Sequence, residues 1–344
     1  MTNDVFFLGA GFSKAIDEHF PLMSDLTKEI IGEQYSKLPD YGRKEFLPES
    51  CKNNFESLLT YLATDLPWKT ENERCLDNIL YIHIAKQIKD FFSNGSLYHN
   101  TTQNLTYKPL WQYIMNNNSP VITLNYDLIV EKNLILCEKD NPRVALYTKS
   151  GEHYEPYYRG KIVDIANTVK DLMSMTNAMP EILKLHGSAN WYYNGDDTHS
   201  QIYCSDNETE IEQRLVEVYK PFIVPPVLDK TKFYKNNTIQ LLWNSAFKYI
   251  AKAQKIYIIG FSFPTTDLSV KYLFESAMKL NSCSPVVYVI NTDTTDNLKQ
   301  RYINIFGENK CNFDFCKPNA MQEFMQKELM SRVNIDEKGE IINV

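Results

Sequence analysis

Five places in the chain set small or polar residues directly after an apolar run, and these are where chemistry could be done. They are Gly9-Ala10-Gly11-Phe12-Ser13, Asn125-Tyr126-Asp127, His186-Gly187, Gly260-Phe261-Ser262 and Asn291-Thr292-Asp293. The runs before them, Val5-Phe6-Phe7-Leu8 and Val121-Ile122-Thr123-Leu124 among others, read as buried strands of a parallel sheet. Parallel strands all finish on one edge, so five polar ends there predict a ligand crevice. The first turn suits a diphosphate, because Gly9 and Gly11 permit a tight backbone and a following helix would present free N–H groups. A plain strand-to-helix turn is the other reading of so short a motif. Asn125 or Asp127 could equally cap the next helix, and a lone His186 could equally be a satisfied structural residue.

The spacing excludes two common nucleotide sites. Lys14 stands where a dinucleotide fingerprint has its third glycine, no acidic residue ends a second strand some twenty residues on, and no GxxxxGK[ST] occurs. An ordinary dehydrogenase and a P-loop NTPase are therefore out.

Stepping outward to the elements, apolar residues recur at helical spacing over 25–34, 55–65, 72–92 and 108–117. About a hundred residues of helix thus separate the first strand from the second, longer than an ordinary crossover and expected to form a lid or side layer. After the strand at 120–124 come a helix at 128–137, a short strand at 143–147 and a helix at 161–174. A strand at 181–185 follows, then a rigid extended segment at 221–226 and a helix at 238–253. Strand 255–259, helix 267–280 and strand 285–290 make one βαβ unit, with a last strand at 311–315 and a last helix at 318–332. The fold class predicted is α/β, a Rossmann-like parallel sheet with helices on both faces and a large helical insertion after the first strand. Its parts are residues 1–24 (first strand and ligand loop), 25–118 (insertion), 119–332 (rest of the core) and 333–344 (a polar tail).

Composition narrows the function further. Of 344 residues, 43% are hydrophobic and 13% aromatic, which excludes general disorder, and no run is long enough to cross a bilayer. Thirty-six basic against 43 acidic residues give a net charge of -7, so nucleic acid is not an expected partner, nor is a membrane. No leader is read at the N-terminus, and a cytoplasmic location is expected. The seven cysteines are scattered without a CxxC pair, as reduced packing thiols would be, and no metal site is expected.

Taken together and in order, Gly9-Ala10-Gly11-Phe12-Ser13, Thr123-Leu124-Asn125-Tyr126-Asp127, Leu185-His186-Gly187-Ser188, Gly260-Phe261-Ser262 and Ile290-Asn291 resemble the NAD-binding motifs of the sirtuins. The chain resembles the bacterial SIR2-like branch, a sirtuin-related family of NAD hydrolases found in anti-phage defence. The resemblance covers the core from end to end, but not the insertion or 141–179. It implies that Gly9, Ala10, Gly11, Phe12 and Ser13 hold the NAD+ diphosphate and ribose, with Gly260, Ser262 and Asn291 on the adenosine side. It places Asn125 and Asp127 beside the nicotinamide ribose and makes Asn125 and His186 catalytic.

Deacylating sirtuins carry a four-cysteine zinc module after the catalytic histidine, whereas only Cys204 lies between His186 and Gly260 here. The resemblance therefore implies a glycohydrolase giving nicotinamide and ADP-ribose, with NAD+ as substrate and no metal. A defence role would require control, through a homo-oligomer or a partner subunit such as an ATPase or sensor. An NAD-dependent protein deacylase or ADP-ribosyltransferase, and a non-catalytic module sensing NAD or ADP-ribose, are the alternatives.

Overall fold

Asp4–Leu8 is buried along its whole length, so both faces of the sheet that holds it must be covered. In this computed structural model, residues 3–26, 47–52, 54–103, 105–139, 149–150, 153–154, 163–164, 180–193, 202–204, 220–224, 230, 233–265 and 267–330 are described. In chain order the strands are β1 (Asp4–Leu8), β2 (Val121–Thr123), β3 (Lys149–Ser150), β4 (His153–Tyr154), β5 (Val163–Asp164) and β6 (Ile182–Lys184). They continue as β7 (Gly187–Tyr193), β8 (Tyr203–Cys204), β9 (Lys220–Ile223), β10 (Lys255–Ile259), β11 (Val286–Ile290) and β12 (Cys311–Asn312). The longer helices are α1 (Ala10–Ile16), α2 (Phe55–Ala63), α3 (Glu71–Ser93), α4 (Lys108–Asn117), α5 (Ile129–Lys139), α6 (Asn237–Lys252), α7 (Leu268–Leu280) and α8 (Asp296–Phe306).

Six strands form the main sheet in the order β12-β11-β10-β1-β2-β6, and every pairing is parallel. This is the α/β, Rossmann-like architecture that the apolar runs imply. Side chains alternate across β1 and set the two outer layers. Phe6 stacks on Tyr257 at 4.8 Å, Tyr257 stacks on Tyr288 at 5.0 Å, and this face meets Tyr113 of α4 and Phe324. Phe7 points the other way, edge-on to Phe261 at 5.2 Å and to Phe274 of α7 at 5.0 Å. Each fully buried phenylalanine contributes ~1.5–3 kcal/mol by leaving water.

The strand order matters for function. From β1 the chain steps one way, to β2 and β6, then returns to β10 on the other flank of β1 and steps away to β11 and β12. The direction reverses between β1 and β10, so a crevice opens at their C-terminal ends.

A second sheet departs from the sequence expectation. Asn190–Tyr193 carries no element in the sequence reading and 221–226 reads only as an extended segment, yet β7 and β9 pair antiparallel within a four-stranded sheet ordered β5-β8-β7-β9. Val163–Asp164 belongs to it as β5, opposite Cys204, so the helix expected at 161–174 does not begin there. The last strand is shorter than 311–315, and the last helix is Ala320–Phe324 followed by a π-helical turn over Met325–Leu329. The strand expected at 143–147, most of the helix at 25–34 and the tail from 333 lie outside the described residues.

Within the insertion, α3 begins at a capping box: the Thr70 amide donates to Glu73 Oε2 at 2.7 Å and the Glu73 amide to Thr70 Oγ1 at 3.3 Å. α4 covers residues 108–117 as its spacing predicts, ending where Asn118 adopts a left-handed conformation (φ 49°). α3 lies on the second sheet, with Ser93 Oγ donating to Ala189 O at 3.0 Å and Phe92 edge-on to Tyr126 at 6.0 Å. No helix among the described residues is long and apolar enough to cross a membrane.

Candidate active site

The reversal point is closed by glycine against glycine. The Gly11 amide donates to Gly260 O at 2.9 Å, and a Cβ on Gly9 would lie 2.6 Å from that same oxygen. Gly260 itself sits at φ +65°, with Phe12 N only 2.1 Å from where its Cβ would be. No side chain fits at these positions, because the ends of β1 and β10 touch backbone to backbone. α1 starts immediately afterwards, at exposed Ala10. The Phe12 amide returns to Gly9 O at 2.9 Å and its ring is buried edge-on to Trp111 at 5.8 Å, so Phe12 belongs to the core. Ala10 and half-buried Gly11 are the surface of this turn that a ligand could meet.

At the end of β2, Asn125 is locked to this turn. Its Nδ2 donates to Gly9 O at 3.0 Å and to Ser13 Oγ at 2.8 Å. Because Gly9 O can only accept, the amide orientation is fixed, and Oδ1 takes no hydrogen bond from the described residues. Ser13 passes its own proton on, donating to Asp127 Oδ2 at 2.6 Å. Asp127 Oδ1 accepts the Ile129 amide at 3.1 Å, the capping role that the sequence left open. Asp127 is 5% exposed, and burial pushes its carboxyl above the ordinary range, opposed by Lys184 and by the Ser13 hydrogen bond. Thr123 completes the array, with Oγ1 donating to Leu8 O at 3.0 Å and accepting the Asn125 amide at 3.1 Å.

His186 stands in the turn after β6, as Asn125 stands just after β2. Thr123 pairs with Lys184 at the ends of these adjacent parallel strands, which run ~4.8 Å apart, and each polar residue comes two positions later in the chain. The histidine is 5% exposed, Nε2 is buried without a hydrogen-bond partner, and the indole of Trp243 lies 6.4 Å from its ring. Burial drives its pKa down to about 3, with Lys230 adding to the effect and Asp267 opposing it. The ring is therefore neutral throughout the physiological range. Gly187, next in the chain, adopts φ +79°, and a Cβ there would meet Phe222 O at 2.3 Å, so only glycine fits. That turn carries the chain out of the main sheet into β7.

On the far side of the reversal point, Asn291 ties two strand ends together, donating from Nδ2 to Phe261 O at 3.1 Å and accepting the Asp293 amide at 3.0 Å. Tyr302 donates to that same Phe261 carbonyl at 2.6 Å. Ser262 is half-buried beside them.

The fold therefore brings Gly9, Ser13, Asn125 and Asp127 into one hydrogen-bonded array, sets His186 in the turn after the neighbouring strand, and links Asn291 to the Gly260 loop. Sequence reasoning passed over Lys184, which donates to Glu131 Oε1 at 2.9 Å, and over the Lys230–Asp267 pair near His186. A charged residue inside the apolar run Ile182-Leu183-Lys184-Leu185 was the available signal for the first. Among the described residues no group of three or more His, Cys, Asp or Glu side chains is placed to hold a metal ion, and six cysteines are free.

No protein-family model matches the chain, and no curated protein matches it. Among solved structures, the chain is similar to sirtuins. One, from work on the structural basis of sirtuin substrate affinity, and another, Sir2 with a p53 peptide and NAD+, are each 13% identical, with 94% of this chain and 92% of that chain covered and a TM-score of 0.41. A third, Sir2 with an inhibitor, 2′-O-acetyl-ADP-ribose and a deacetylated p53 peptide, is 12% identical over 94% of this chain and 93% of that one, with a TM-score of 0.38.

Proposed function

We propose that this chain is an NAD+ glycohydrolase, cleaving the nicotinamide–ribose bond with water as acceptor. The observation that carries the reading is the placement of two polar atoms without partners among the described residues, Asn125 Oδ1 and His186 Nε2, each just past the C-terminal end of one of two adjacent parallel strands. Ala10 and Gly11 would meet the diphosphate at the start of α1, with Gly260, Ser262 and Asn291 toward the adenosine. Ser13 and Asp127 act behind Asn125, holding its amide.

The chemistry asks for placement more than for strong acids or bases. Nicotinamide departs with the electrons of its bond to C1′ and becomes neutral, and the ribose develops oxocarbenium character. Asn125 Oδ1 accepts a hydrogen bond from a ribose hydroxyl or from the attacking water. His186 meets the same water as a neutral acceptor. Water supplies the oxygen at C1′, and one proton leaves to solvent, giving nicotinamide and ADP-ribose.

An enzyme that consumes NAD+ must be restrained in a living cell. The resemblance to defence proteins fits an effector released from inhibition by a trigger, an oligomer or a partner subunit. The test is nicotinamide release from NAD+ by the purified chain, alone, with cell extract and with an acylated peptide. Asn125→Ala and His186→Ala, shown folded by circular dichroism, are expected to lose ~100-fold or more in rate. Retention of activity in both variants contradicts the assignment, and turnover that requires the peptide favours the deacylase.

A further inference from the structure

Lys184 is 2% exposed, on a strand that is otherwise apolar. An ammonium has three N–H donors, and here each has an acceptor. One goes to Glu131 Oε1 at 2.9 Å, one to Tyr126 O at 3.4 Å, and one to Asp127 O. Those two carbonyls belong to the residues that immediately follow Asn125. Lys184 itself stands two residues before His186, opposite Thr123 in the sheet register. Glu131, 3% exposed, lies in the first turn of α5 and has a second oxygen, Oε2, buried without a partner.

Such a pair is a weak source of stability. Removing two charges from water costs several kcal/mol per ion, and apolar residues of similar volume often do as well or better. What the pair supplies is geometry. Backbone carbonyls at 126 and 127 converge on one cation, so the loop must turn there, and the turn sets where the Asn125 amide stands. The same side chain is anchored on the strand that leads into His186. One cation thus fixes the relative position of the two groups that would meet substrate.

Resting on the glycohydrolase reading, we infer that Lys184 is a positioning residue of this site: by binding the Tyr126 and Asp127 carbonyls it holds Asn125 in catalytic register with His186. Glu131 is its counter-ion and fixes the ammonium from the side of α5. Neither residue touches substrate.

Lys184→Met alone would strand the Glu131 carboxylate in the interior, so the informative protein is Lys184→Met combined with Glu131→Gln. Two measurements are made on it beside the wild type: steady-state NAD+ cleavage, and hydrogen exchange of the backbone amides. The expected result is a folded protein whose kcat falls ~10–100-fold, the scale of a misplaced catalytic group, with KM changed by less than about threefold. Exchange should quicken by about tenfold or more at 125–129 while the amides of β1 and β10 stay protected. An unchanged kcat in the folded double variant overturns the inference, as does a loss of activity that merely follows the folded fraction. If the wild type releases no nicotinamide under any condition, the glycohydrolase reading fails and exchange decides the clamp. Quickening confined to 125–129 then upholds it, and unchanged exchange there overturns it.

Discussion

Replacing Ser13 with alanine removes one oxygen and breaks two hydrogen bonds, the 2.6 Å bond to Asp127 Oδ2 and the 2.8 Å bond from Asn125 Nδ2. Asp127 is 5% exposed, and Ser13 is the hydrogen-bond donor to its Oδ2, so that oxygen is left buried and unsatisfied. Orphaning a buried acceptor costs ~1–3 kcal/mol, and more when it is charged. The cost depends on pH with a definite sign. Burial holds the Asp127 pKa above its ordinary value, so its contribution to stability is present below the unfolded pKa and is lost as pH rises through the folded one. The Ser13 hydrogen bond opposes that shift, and removing it pushes the folded pKa higher still. The penalty of Ser13→Ala should therefore be larger at high pH than in acid, because the lost donor favours the ionised carboxyl, while the lost Asn125 bond costs the same at both. Urea unfolding at about pH 4.5 and about pH 8 measures the difference through the transition midpoints. An equal penalty at both values, or none, would refute the view of Ser13 as a donor that favours the ionised form of Asp127 behind Asn125.

Two further outcomes follow from the same geometry. His186 is held neutral with its pKa near 3, so stability is expected to fall as pH drops below about 6.5, by up to ~1.4 kcal/mol for each unit of the window, and His186→Phe should flatten that slope in pH-dependent urea melts. An unchanged slope in the variant would place the acid sensitivity elsewhere. Gly260→Ala puts a Cβ within 2.1 Å of Phe12 N at φ +65°, and should cost ~4 kcal/mol or more, seen as lost soluble yield or a collapsed melting temperature. A variant as stable as wild type would show that the ends of β1 and β10 are not in contact.

Much of the fold could be read from the sequence because the main sheet is parallel and fully covered. Strands such as Asp4–Leu8 and Lys255–Ile259 appear as continuous apolar runs, and each ends abruptly in a glycine or polar group. The second sheet gives no such signal. β7 is buried at six of its seven positions and shows no alternation, and β9 contains Pro221, which lowers any strand reading. The polar strand ends were likewise legible, but the reasons for their residue types were not. Gly9 and Gly11 look like concessions to a ligand, yet they first make room for Gly260, some 250 residues away in sequence and adjacent only in the folded sheet. Asn291 reads as a ligand contact and is also a clamp between strand ends. Lys184 passed as part of an apolar strand, since its acceptors are backbone carbonyls that leave no mark in the sequence.

In the proposed reaction water, placed by Asn125 and His186, takes the ribose from nicotinamide. NAD+ cleavage in ¹⁸O-labelled water, followed by mass spectrometry of the products, tests it directly. Nicotinamide and ADP-ribose are expected in equal amounts, with one labelled oxygen at the ribose carbon released from nicotinamide. Unlabelled ADP-ribose, ADP-ribose transferred to protein or peptide, or intact NAD+ under every condition would contradict it.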